Sequence, residues 1–105
     1  MGIAPTLRKA LADDARIERA VVYGSYAAGE AKPGSDIDLL IVGSVTLQEV
    51  LLITSPLQDR FNLEINPVVM TEEEFRTRRS EQEHFISSVL ASPIIPLIGN
   101  LNDAG

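Results

Sequence analysis

Two aspartates open the most apolar strand in the chain. The segment Asp36-Ile37-Asp38-Leu39-Leu40-Ile41-Val42, closed by Gly43, has the composition of a buried β-strand, yet it begins with carboxylates at positions i and i+2. Residues so spaced point to one face of a strand, with Cα atoms roughly 7 Å apart. Both acids therefore stand together at one end, while Ile37, Leu39 and Ile41 face a core. Leu40 and Val42 continue the carboxylate face, which confines the acidic part to the strand's start. Packing alone does not select two unpaired acids at such a place. Two carboxylates at this spacing can share one or two hard cations. Mg²⁺ in particular is held by few protein carboxylates together with substrate phosphates and water.

Upstream, IERAVVY over 17–23 reads as a strand that Gly24 ends, and a short helix over 25–30 is predicted to open at Ser25. Backbone N–H groups at a helix start favour an anion. Gly24 lets another group approach the main chain, and Ser25 adds a hydroxyl donor, so a phosphate fits there. Taken alone, Gly24-Ser25 also reads as a strand-to-helix turn with an N-cap serine, and Ser35-Asp36 as turn chemistry after Gly34. Asp38, two residues into an apolar strand, resists that reading.

The remaining pattern is α/β, with no internal repeat. Helices are predicted over 5–14 and 46–57, the second with Leu47, Val50, Leu51, Thr54 and Leu57 on one stripe and limited by Pro56. A third strand is predicted over 61–70, its outer half an edge or irregular because of Pro67. Capping boxes Thr71/Glu74 and Ser80/Glu83 announce two helices. Pro93 to Ile98 suits a short edge strand, a candidate dimer edge, and 100–105 a frayed tail. The prediction is one domain over 1–105, a small mixed β-sheet flanked by helices. In the third strand Asn62, Glu64 and Asn66 share a face. If that strand neighbours Asp36 and Asp38, Glu64 can join them, and three carboxylates around two metals suit in-line phosphoryl transfer.

Gly24-Ser25, ten intervening residues, then Asp36-Ile37-Asp38 resembles the signature of the polymerase-β-like nucleotidyltransferase superfamily, in its minimal, single-domain antitoxin type. Leu63-Glu64-Ile65-Asn66-Pro67 is similar to the strand carrying that family's third carboxylate, and Ala91 to Gly99 to the family's chain ends. The resemblance implies a polymerase-β palm-like fold and transfer of a nucleoside monophosphate, AMP from ATP or another NTP, with pyrophosphate leaving. It implies that Gly24 and Ser25 bind the triphosphate and that Asp36 and Asp38 hold two Mg²⁺ ions. Glu64 would ligate the catalytic metal and help activate the acceptor hydroxyl. It further implies a protein or small-molecule acceptor, a HEPN-type toxin among the candidates. The competing reading is a catalytically inactive module that neutralises a partner through the acidic helices 71–91.

Composition narrows the field. The chain has 105 residues, enough for one core. A net charge of −6 disfavours nucleic-acid binding and a stand-alone polymerase. Without cysteine there are no disulfides or thiolate sites, and the single His84 makes no multi-histidine centre. No apolar run reaches membrane-spanning length, and the N-terminus lacks a signal-peptide core, so a soluble cytoplasmic protein is expected.

Overall fold

The computed structural model describes residues 2–32 and 34–102. Among the described residues five helices and four strands follow in order: α1 (Ile3–Ala12), β1 (Ile17–Tyr23), α2 (Gly24–Ala27), β2 (Ile37–Gly43), α3 (Leu47–Phe61), β3 (Ile65–Met70), α4 (Glu72–Ser80), α5 (His84–Ala91) and β4 (Ile95–Ile98). The sheet order is β3-β2-β1-β4. β2 runs antiparallel to β1 and parallel to β3, and β4 pairs antiparallel with β1, so the sheet is mixed. Among the described residues no helix is long and apolar enough to cross a membrane.

Both faces of the sheet are covered, because β1 and β2 are apolar on both sides. On one face Ile3, Leu7 and Leu11 of α1 and Val50 and Leu57 of α3 pack against Ala20, Val22, Ile37, Leu39 and Ile41. On the other, Phe75 of α4 and Ile86 and Val89 of α5 cover Val21, Leu40, Val42 and Met70. The register slips between Ile17 and Arg19, which turns Arg19 onto the α4 face. There it is buried, paired with Glu72 at 2.8 Å and set 5.0 Å from the Phe75 ring.

The predicted strands over 17–23 and 36–42 are present, the latter starting one residue later, so Asp36 immediately precedes β2. Several boundaries differ. The short helix spans Gly24–Ala27 with Tyr23, not Ser25, at its N-cap. α3 continues through Pro56 to Phe61. Pro56 is exposed, so the carbonyl that it leaves unbonded, that of Leu52, lies on the solvated side where water can satisfy it. The stripe of α3 is narrower than predicted: Val50, Thr54 and Leu57 are buried, while Leu47 and Leu51 are exposed. α3 consumes Phe61, so the third strand begins only at Ile65. Pro67 lies on the edge strand, as predicted.

Thr71 caps α4 by accepting from the Glu74 N–H. The Ser80/Glu83 box does not form. Gln82 adopts a left-handed conformation, φ 54°, which ends α4, and Glu83 itself caps α5 by accepting from the Phe85 N–H. The tail is not frayed over its first part: Leu101 is fully buried, and its carbonyl accepts from Arg79 while that of Asn100 accepts from Arg19. Residues 103–105 of the predicted tail and Pro33 of the predicted turn lie outside the described residues. The predicted edge strand is β4, shortened to Ile95–Ile98, and Arg8 of α1 donates to its Pro96 carbonyl.

Candidate active site

The end of β1, the start of β2 and the link into β3 meet at one end of the sheet. Antiparallel register sets Tyr23 opposite Asp38, and parallel register sets Asp38 beside Asn66 and Ile37 beside Ile65. Alternation then puts Asp36, Asp38, Glu64 and Asn66 on a common face. Glu64 is not inside the strand as predicted but immediately before it. Its carbonyl accepts the Ile37 N–H at 2.8 Å, which ties it to β2 between the two aspartates.

The carboxylates crowd one another. Contact with the Asp36 carboxylate pushes Glu64 above its usual range. Burial, and then the charge of Asp36, raise Asp38. Burial and the charge of Asp38 raise the Tyr23 hydroxyl, whose ring stands edge-on to Phe85 at 5.6 Å. Asn66 Nδ2 donates to Asp36 Oδ2 at 3.1 Å. Among the described residues no lysine or arginine pairs with Asp36, Asp38 or Glu64.

Gly24 adjoins this cluster. It has φ +74°, and a Cβ there would collide with the Asp38 Oδ2 atom. Both facts call for glycine. The strand-ending glycine and the second aspartate, separated by thirteen residues of chain, are thus packed against each other. Ser25 is exposed at the second position of α2, beside the same cluster.

Every residue singled out in the sequence thus lies at one end of the sheet. Asp36 is shared by two close pairs, with Asp38 and with Glu64, and among the described residues no group of three His, Cys, Asp or Glu side chains stands close enough to hold one ion. The donor chemistry fits a hard cation: exposed or half-buried carboxylates, mutually repelling, without a basic partner. Sequence reasoning noticed Asn66 only as a sharer of Glu64's face. Its i+2 spacing from Glu64 was the signal. Beside Glu64 opens a shallow depression of about 410 Å³ lined by Gln58, Asp59, Asn62, Leu63 and Glu64.

Comparison with known proteins gives a family and a shared fold. The model of the family described as "Nucleotidyltransferase domain" matches residues 4–95. A candidate protein adenylyltransferase of Methanocaldococcus jannaschii is 38% identical over 63 residues, 60% of this chain and 63% of that protein, so the match spans less than two thirds of the relative. Among solved structures, a chain of a toxin-antitoxin complex with AMP-PNP superposes with a TM-score of 0.66 at 18% identity, covering 95% of this chain and 76% of that one. A chain of the complex between a tri-AMPylated Shewanella oneidensis HEPN toxin and an MNT antitoxin gives 0.58 at 15% identity, covering 96% and 73%. At these identities the two structures establish the shared fold.

Proposed function

The chain belongs to the nucleotidyltransferase domain family, and we propose that it is a Mg²⁺-dependent enzyme transferring AMP from ATP to a hydroxyl of a partner protein, as the cytoplasmic antitoxin of a toxin-antitoxin pair. The observation that carries this reading is Asp36 paired closely with both Asp38 and Glu64, beside a glycine whose missing side chain leaves room for the Asp38 carboxylate. The candidate adenylyltransferase supports a protein acceptor, and the AMP-PNP and tri-AMPylated toxin complexes support adenine and a HEPN partner.

In this reading the main chain at Gly24 and the Ser25 hydroxyl receive the triphosphate. The pairs Asp36 with Asp38 and Asp36 with Glu64 would offer oxygen donors to Mg²⁺, which when bound would supply charge stabilisation at the phosphoryl oxygens. Glu64 is exposed, and its side-chain hydrogen bond with Asp36, then the Asp36 charge, strengthen its hold on a proton. It is therefore suited to take the proton of the acceptor hydroxyl. The acceptor oxygen bonds to the α-phosphorus, the bond from that phosphorus to the bridging oxygen breaks, and pyrophosphate leaves. Asn66 fixes the orientation of Asp36 through its amide.

The test is incubation of the protein with α-labelled ATP, Mg²⁺ and a HEPN-type protein. Transfer of label with release of pyrophosphate is expected. Absence of both, with the partner bound, would leave the inactive binding module. That second reading relies on the acidic helices, where Glu72 and Glu74 are already paired with Arg19, Arg76 and Arg78 inside the chain.

A further inference from the structure

Glu64 sits on a link of three residues, Asn62 to Glu64, between α3 and β3, a short connection that needs external anchors to hold a side chain in one place. One anchor is the Ile37 N–H, described above. The other is Gln58. Its side-chain Oε1 accepts the Ile65 N–H at 2.7 Å, and its main-chain carbonyl accepts the N–H groups of Asn62 and Leu63. In the parallel ladder Glu64 and Asn66 direct their main-chain groups toward β2, so the Ile65 N–H points to the open edge of the sheet, where among the described residues no further strand receives it. Gln58 thus takes the place of a neighbouring strand at the one residue that follows Glu64. Asn62, in the left-handed region with φ 53°, turns the chain so that this side chain can reach back.

We propose that Gln58 is a positioning residue: by receiving the Ile65 N–H it fixes Glu64 against Asp36 and so sets the site's affinity for a divalent cation. A glutamine on the partly exposed flank of α3 has no packing duty that requires an acceptor at this point, and the bond crosses from helix to strand to serve the residue adjacent to Glu64. The inference rests on the metal-site reading of Asp36, Asp38 and Glu64.

The test uses the full chain and Mn²⁺ as the probe ion, with binding followed by electron paramagnetic resonance and the Ile65 amide followed by hydrogen exchange. Gln58→Met keeps the side chain's length and removes the good acceptor. Gln58→Glu keeps an acceptor oxygen. Gln58→Met should expose the Ile65 amide to exchange and weaken Mn²⁺ binding by about tenfold, the low end for groups that orient metal ligands. Gln58→Glu should keep the Ile65 amide protected and lose less than the roughly tenfold in affinity expected of Gln58→Met. Gln58→Ala gives a second background with the same expected loss should the methionine variant fold poorly. Unchanged Mn²⁺ affinity in a variant whose Ile65 amide has lost protection would overturn the inference while leaving the metal site intact. Equal Mn²⁺ binding by the unsubstituted chain and by Asp36→Asn would instead overturn the metal-site reading, and this inference with it.

Discussion

The Asp38 carboxylate occupies the space that a side chain on Gly24 would need. The contact couples the strand end that precedes α2 to the acidic start of β2. Gly24→Ala must move Asp38 and also place alanine at φ +74°. A cost of about 1–3 kcal/mol is expected for the backbone conformation and its surroundings, together with loss of nucleotide transfer. Gly29→Ala is the control, since φ is +75° there but nothing lies within 4 Å of the added carbon. It should cost about 1–2 kcal/mol, from the left-handed backbone alone, and leave transfer unchanged. Denaturant unfolding of both variants, beside the labelled-ATP assay, checks the contrast. Equal effects on transfer would show that the Gly24–Asp38 contact does not matter to the reaction.

Pro56 leads to a prediction of the opposite sign. It lies inside α3, where proline forfeits one hydrogen bond and crowds the preceding turn. The helix persists because Val50, Thr54 and Leu57 anchor it to the sheet on both sides of the proline. Pro56→Ala should therefore raise stability, by about 1–3 kcal/mol given the helix-propensity difference of ~3 kcal/mol less relaxation already present. A lower thermal midpoint in the alanine variant would contradict this account of how the helix tolerates proline.

The same helix shows what could and could not be read from the residues. Periodicity marks β1, β2 and the start of α3, because apolar faces must be buried whatever the topology, whereas α2, α4 and α5 are marked by turn and capping residues. The alternation Phe61-Asn62-Leu63-Glu64-Ile65 looked like strand, and Pro56 like a stop. Both were overridden by burial of Leu57 and partial burial of Phe61 against the core, a tertiary effect that local pattern does not carry. Of the candidate site, Asp36 and Asp38 are legible because unpaired acids in an apolar strand need a reason beyond packing, while Gly24 and Ser25 stand out only through their spacing from that pair. Glu64 was legible only through the resemblance and its alternation. Gln58 was not legible at all, since its bond to Ile65 exists only once α3 and β3 are set side by side.

Arg19 and Glu72 tie β1 to α4 through two hydrogen bonds at 2.9 and 2.8 Å, with Arg19 also donating to the Asn100 carbonyl. Removing one partner of a buried pair typically costs ~3–5 kcal/mol. Here Glu72 is partly exposed and keeps Arg76 at 2.7 Å, so Arg19→Met should cost about 2 kcal/mol. Arg19 is the first cause that holds Glu72 below its ordinary value of 4.5. The stabilisation is present above pH 4.5 and is lost as pH falls through the lowered native value. Acid unfolding of Arg19→Met should accordingly be flatter below pH 4.5 than that of the unsubstituted chain. Parallel acid limbs would remove Glu72 as a source of acid lability.

Asp38 carries the reverse linkage, and with it a conflict between stability and activity. Burial, and then the Asp36 charge, raise its native value above the ordinary 3.8. The folded state thus holds its proton more tightly than the unfolded chain, and stability falls as pH rises through the raised value. At neutral pH the ionised, cation-free site opposes folding. Asp38→Asn should therefore raise the thermal midpoint by a few degrees at pH 7.5 without divalent ions, and the gain should vanish below the ordinary value of 3.8. The same substitution removes one donor of charge stabilisation worth several kcal/mol in a metal-dependent transfer, so label transfer should drop by about 10³-fold at ~1.36 kcal/mol per factor of ten. Adding Mn²⁺ should then stabilise the unsubstituted chain more than the variant, because only the former has the carboxylate repulsion for the ion to relieve. A variant that melts lower at pH 7.5 would mean that Asp38 is retained for packing against Gly24 rather than for its charge.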